Sequence, residues 1–225
     1  MDRLRHITRG MKRNGHLPVA TLVLFLLNVA FFIWEASEGS TESVRNAVTL
    51  RYGMYRGALE DGEWIRLFAH GFFHFGIMHL ASNMFCLWMY GVILETRIGS
   101  WKFAVIYAVS ILGSGLLVNF AGEPRTLHAG ASGAVWGLMT AMLIYSVRNG
   151  LDMSYPLRGI ILNLIYSFSG ANVSWQGHIG GGIAGLLAAL ILCGKTRNRR
   201  LEAYQDPYRQ GADEAERDWR DRQDG

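Results

Sequence analysis

The chain has 225 residues, half of them hydrophobic and only 18% charged, with a formal net charge of +4 and a pI near 9.2. Soluble domains carry about a quarter charged residues, so the composition argues against an ordinary water-soluble globule. No basic face interleaved with aromatics stands out, which argues against nucleic-acid binding. The two cysteines, Cys86 and Cys193, lie in apolar runs and imply no disulfide framework.

A bilayer span needs roughly 20 apolar residues, or about 17 at the short end. Residues 1–16 form a short basic N-terminal segment. The first apolar run is Leu17–Trp34. It is too long for the core of a secretory signal, and no small-residue cleavage site precedes Glu35. A polar stretch over 36–76 reads as a large loop. Uncharged runs follow at Ile77–Leu94, Phe103–Ala121 and Ala131–Val147. Gly159–Trp175 is a weaker run, apolar only in its first ten residues, and His178–Gly194 is the last. Between Trp64 and Gly194 the only acidic residues are Glu95, Glu123 and Asp152. Residues 195–225 hold eight acidic and eight basic residues with few large apolar ones, and read as disordered or weakly helical. The pattern predicts an all-α polytopic membrane protein, a six-transmembrane-helix bundle over 17–194.

Lys and Arg set orientation. With the N-terminus in the cytoplasm, seventeen of them fall on inside segments and five on outside ones. Both termini are therefore expected inside, and the even helix count agrees. Helices two, four and six then begin at the outer face. Ser132 opens helix four and His178 opens helix six, with His79 and Asn83 in the first turns of helix two. From Ser132 to Arg148 is about 24 Å of helix and from His178 to Lys195 about 26 Å, at ~1.5 Å per residue. Against a hydrocarbon core roughly 30 Å thick, both side chains sit at nearly the same depth, a few ångströms below the outer surface. Polar groups inside a membrane are costly, so their presence points to function. Gly181 and Gly185 on helix six, and Gly133, Gly137 and Ala141 on helix four, recur every four residues. Small residues at that spacing let membrane helices pack closely.

A serine hydroxyl needs a neighbouring base to become a nucleophile. The three lysines, Lys12, Lys102 and Lys195, all fall on cytoplasmic positions. No Asp or Glu is expected within the outer half of any helix. Histidine remains, which makes Ser132 and His178 a candidate dyad. Acyl transfer also needs donors for the developing oxyanion. The Ser132 N–H at the helix N-terminus, the Asn83 amide and the His79 ring N–H are candidates. His79 and Asn83 are four apart and share one helix face. The segment differs from the G-x-S-x-G elbow of soluble hydrolases, because Gly133 directly follows the serine.

These residues together resemble the rhomboid family of intramembrane serine proteases. "GASG" around Ser132 is similar to the family's G-x-S-G nucleophile motif, and "HIGGGIAG" to its catalytic histidine followed by G-x-x-x-G. "HGFFHFGIMHLASN" resembles the histidine-rich entry to helix two with its H-x-x-x-N. "EWIR", Glu63 to Arg66, resembles the W-R element of the first outer loop, and "ETRIGSWKF" the E-x-R-x-G-S junction between helices two and three. The resemblance covers about residues 60 to 190, in family order. It implies a rhomboid-like bundle, a Ser132–His178 dyad, and oxyanion donors at Asn83 and His79. Many bacterial members have Tyr four residues after the serine, stacked on the catalytic histidine; here Trp136 stands there.

The expected activity is a serine endopeptidase that cuts transmembrane-helix substrates near the outer face of a bacterial inner membrane. It needs no cofactor and no metal. Entry is expected beside helix five, with residues 167 to 177 as a mobile cap. Two other readings exist: an inactive rhomboid-like protein that binds membrane clients, and a metal transporter lined by His70, His74 and His79.

Overall fold

A computed structural model describes residues 17–38, 48–169 and 174–194. The basic N-terminus, the charged tail and the middle of the expected cap lie outside the described residues. Six long helices carry the fold: α1 (Val19–Ser37), α2 (Ile77–Ile98), α3 (Ser100–Ala121), α4 (Ser132–Asn149), α5 (Ser154–Ser169) and α6 (Trp175–Leu192). Between α1 and α2 run a helical stretch at 48–52, one helical turn (Arg66–Ala69) and a 3₁₀ turn (His70–Phe72). Among the described residues the only β pairing is an isolated bridge between Met54 and His128. Four helices, α1, α2, α3 and α6, are each long and apolar enough to cross a membrane. α5, at 16 residues, is short for that, and α4 places Trp136, Thr140, Ser146 and Arg148 among its 18.

The core is the meeting of α3, α4 and α6. In lipid there is no hydrophobic drive between apolar helices, so close packing of small residues holds them together. A Cβ added at Gly181 would run into the Gly133 backbone, and one at Gly185 into the Gly137 backbone. The α4–α6 register is therefore parallel, with 133 and 137 level with 177–181 and 181–185. Ser114 and Ser110 of α3 fill the other side of Gly133 and Gly137, in the antiparallel sense. Thr140 Oγ1 donates to the Gly182 carbonyl at 2.8 Å and ties α4 to α6 directly.

α1 and α5 are peripheral. α1 packs mainly on α2 and exposes Leu22, Val23, Leu26 and Ile33. α5 packs mainly on α4 and exposes Ile161, Leu162 and Ile165. A cavity of about 230 Å³ between α2, α4 and the start of α5 is lined by Leu94, Arg97, Tyr145 and Asp152, far along these helices from Ser132.

Three boundaries differ from expectation. α5 begins at Ser154, not Gly159, because Asp152 accepts from the Ser154 N–H (2.8 Å) and hydroxyl (2.6 Å) and starts the helix. Pro156 is tolerated there because a first-turn N–H has no intrahelical partner. Trp175 belongs to α6, not to helix five. Ser174 caps α6, its Oγ accepting from the Gly177 N–H at 3.1 Å, as N-cap serines do. α1 runs on to Ser37 and carries Glu35 inside the helix, 1% exposed. Under the expected topology that end of α1 is the outer one, and the expectation that no carboxyl group lies within the outer half of any helix is corrected by Glu35. An apolar window stops at the first charge, whereas the helix continues wherever that charge finds partners.

Candidate active site

Ser132 is the first residue of α4 and partly buried. Ala131 before it provides no side-chain cap. The helical ladder starts with Val135 N–H donating to the Ala131 carbonyl at 3.0 Å, which leaves the Ser132 N–H outside it. His178 lies in the first turn of α6 and is 6% exposed. Its backbone N–H donates to the Ser174 carbonyl at 3.1 Å. The glycine register brings the starts of α4 and α6 level, so Ser132 and His178 share a depth. One turn below Ser132, on the same face, Trp136 stacks on the His178 ring with centroids 5.5 Å apart and planes 22° apart. His79 and His128 are within electrostatic range of His178.

The turn that delivers Ser132 is fixed from several sides. Gly130 has φ +122°, a conformation that favours glycine. A Cβ there would lie 2.7 Å from His79 Cε1 and 3.8 Å from Asn83 Nδ2. The His79 ring and the Asn83 amide thus rest on the backbone two residues before the serine. Asn83 is buried and donates to the His79 carbonyl at 2.8 Å. An amide has two N–H bonds, so a second remains to donate. His79 stacks on Phe75 and meets His74 edge-on. The Gly130 N–H donates to the His70 carbonyl at 2.9 Å, and His128 exchanges two 2.7 Å backbone bonds with Met54.

Among the described residues no three His, Cys, Asp or Glu side chains converge on a common point. His70 Nδ1 bonds the Arg66 carbonyl at 2.9 Å. His70 and His74 orient backbone instead. Burial lowers the pKa of His70 from 6.5 to about 4, of His74 to about 3 and of His128 to about 4. In His74 the nearby His79 adds to the effect. All three are neutral near pH 7.

The other motifs are structural. Arg66 knots the loop: Nη1 donates to the Leu50 and Gly53 carbonyls at 2.7 and 2.8 Å. Nε pairs with Glu63 at 3.3 Å, and the guanidinium lies over Tyr55. Trp64 faces outward, 65% exposed. Glu95 is fully buried and accepts four bonds, from Ala20 N–H, Thr21 N–H, Thr21 Oγ1 and Ser100 Oγ, at 2.6–2.8 Å. The E-x-R-x-G-S junction is thus a clasp that ties the start of α1 to the α2–α3 link. Sequence reasoning missed Thr21, Ser110, Ser114, Ser174, Glu35 and His128. Only Ser174, a serine opening an apolar run, carried a local signal.

An all-α bundle with a glycine-packed centre and four helices apolar enough to cross a bilayer defines an integral membrane protein. The model of the rhomboid domain matches residues 61–195, and the chain belongs to the rhomboid family, a family of intramembrane proteases. It is 36% identical over 188 residues to the rhomboid protease GluP of Bacillus subtilis, covering 80% of this chain and 36% of GluP. It is 31% identical over 192 residues to the putative rhomboid protease YdcA of the same organism, covering 81% of this chain and 92% of YdcA. With the rhomboid protease GlpG of Klebsiella pneumoniae it shares 32% over 144 residues, 61% of this chain and 51% of GlpG. The chain thus spans about a third of GluP and half of GlpG.

Proposed function

We propose that this chain is an active intramembrane serine endopeptidase, with Ser132 as nucleophile and His178 as general base. The observation that carries the reading is the α4–α6 register, which levels the two helix starts and seats Trp136 on His178. Trp136 replaces a tyrosine at that stack with a larger ring and holds the imidazole from one side. His178 takes the proton of Ser132 Oγ as the oxygen attacks the scissile carbonyl. The carbonyl oxygen becomes an oxyanion, received by the Ser132 N–H, the free N–H of Asn83 and a ring N–H of His79. The tetrahedral intermediate collapses, and His178 gives the proton to the departing amine. A water, deprotonated by His178, then frees the acyl group from Ser132.

Residues 17–194 form the protease domain in this reading, with 1–16 and 195–225 cytoplasmic. The Ser132 end faces outward, as the Lys and Arg distribution directs, in a bacterial inner membrane. The substrate is a transmembrane helix of another protein. A helical peptide bond is shielded by its own hydrogen bonds and must unwind first. In lipid an unwound segment needs polar partners, which His79, Asn83, Ser132 and His178 supply. Helix-breaking Gly or Pro near the outer boundary should therefore mark substrates. Entry is beside α5, the shortest of the six helices. The test is labelling by a fluorophosphonate together with cleavage of a model transmembrane substrate. Wild type should label and cut; Ser132→Ala and His178→Ala should do neither while remaining folded. Turnover in either variant would overturn the dyad.

A further inference from the structure

α1 is a peripheral helix whose exposed side chains are apolar, yet at its end it buries a carboxyl group. An ionisable side chain inside a membrane protein is costly and points to function unless partners explain it. The partners of Glu35 lead toward the nucleophile. Glu35 Oε1 accepts from the Thr49 hydroxyl at 2.6 Å. Oε2 accepts from the backbone N–H of His74 at 3.4 Å. His74 is itself buried, 3% exposed. Its Nε2 accepts from the N–H of Ala131 at 3.4 Å. Ala131 is the N-cap of α4, directly before Ser132. The two bonds through His74 are long, the kind that tighten when a catalytic site closes on its substrate.

We infer that Glu35, acting through His74, is a positioning residue that sets the turn carrying Ser132. This rests on Ser132 being the nucleophile. The carboxyl group accepts from Thr49 on one oxygen and from the His74 backbone on the other. It holds the backbone at His74 so that the ring nitrogen meets the Ala131 N–H. That N–H precedes the helical ladder and would otherwise be an orphan donor beside the site. His74 can accept there only as a neutral imidazole. The carboxyl group that orients it sits on α1, which also packs Phe31 against Phe72 and Phe73 and Trp34 against Phe73. The effect therefore falls on the aim of Ser132, and on kcat more than on substrate binding.

The experiment uses the full chain in lipid, with Glu35→Ala, Glu35→Gln, Thr49→Val and Ser132→Ala. Three quantities are read: the rate of fluorophosphonate labelling, kcat and KM for a model transmembrane substrate, and the thermal midpoint. Glu35→Ala should slow labelling and kcat about tenfold or more, with KM within about twofold, since misplacing a reacting group costs rate rather than affinity. Glu35→Gln keeps the shape but offers a single acceptor oxygen, so it should recover part of the loss even if Glu35→Ala folds poorly. Thr49→Val should fall between wild type and Glu35→Ala. Wild-type labelling and kcat in Glu35→Gln and Glu35→Ala, with Ser132→Ala unlabelled, would overturn the positioning role and leave the dyad standing. A lowered midpoint with unchanged kcat per folded molecule would also overturn it. Labelling of Ser132→Ala at the wild-type rate would remove the nucleophile reading, and this inference with it.

Discussion

Two buried carboxyl groups stand at opposite ends of the bundle, and their surroundings differ. Glu95 receives four short hydrogen bonds from two segments, the start of α1 and the start of α3, two on each carboxylate oxygen. Glu35 takes a short bond from the Thr49 hydroxyl and a long one from the His74 backbone. The Glu95 end joins α2 to α3 through Gly99 alone and ties the start of α1 to them by hydrogen bonds. The Glu35 end gathers histidines, a glycine at positive φ and a serine at a helix start. One end is built to stay shut. The other includes two long bonds, Glu35 to the His74 backbone and His74 to Ala131, and under the proposed function it is the end that admits an unwound chain. Local stability in proteins varies in this way, with ligand-handling regions at the weaker end.

Exchanging the consequences of mutation between the two ends would break the comparison. The largest effect is expected for Ser132→Ala, which should reduce turnover on the order of 10⁴-fold or more with the thermal midpoint nearly unmoved. Glu95→Ala should do the reverse, lowering stability by several kcal/mol at about 1–3 kcal/mol for each buried donor left unpaired. Its activity per folded molecule should stay close to wild type. A chemical or thermal unfolding series in lipid would report both. Loss of activity in Glu95→Ala without loss of stability would show the two ends are not independent.

Asn83→Ala should come next, at about 10²–10³ in kcat for one oxyanion donor, measured on the same model substrate with KM little changed. A wild-type rate would make Asn83 a packing residue. Gly185→Leu should cost about 1–3 kcal/mol by overpacking and lower activity too, because the Gly137 backbone leaves no room and α6 must move with His178. Stability unchanged alongside lost activity would place Gly185 in direct contact with substrate.

The smallest effect sharpens the comparison by pH. His70, His74 and His128 all lie at the Ser132 end, with pKa values lowered to about 4, 3 and 4. The unfolded chain, with values near 6.5, binds more protons below that pH. Stability is therefore full above about 6.5 and is lost as pH falls toward 4. The slope is at most about 1.4 kcal/mol per pH unit for each group. Hydrogen exchange between pH 7 and 4.5 should show residues 70–75 and 128–131 loosening before the Glu95 clasp. Uniform loosening would contradict the assignment.

Most of the fold was legible because a bilayer imposes long uncharged runs, and those survive in any window. Ser132, His178, His79 and Asn83 were visible as polar residues where lipid disfavours them, and the glycine spacing gave the helix contact. Helix ends were less legible. The start of α5 depends on Asp152 bonding Ser154, and the end of α1 on Glu35 finding Thr49 and His74. Those partners are local in one case and 14 to 39 residues away in the other. Ser110 and Ser114 were invisible for another reason. A serine in an apolar helix reads as neutral until the glycine opposite it is known.

The isolated bridge between Met54 and His128 joins two segments 74 positions apart by a reciprocal pair of bonds. Neither amide can exchange with solvent unless the pair parts. The pair stands four residues ahead of Ser132, on the strand of backbone that leads into α4. Exchange at Met54 is then a remote clock for breathing of the turn that leads into Ser132. Both amides should lose protection at one common rate, and a substrate that closes the site should slow the two together.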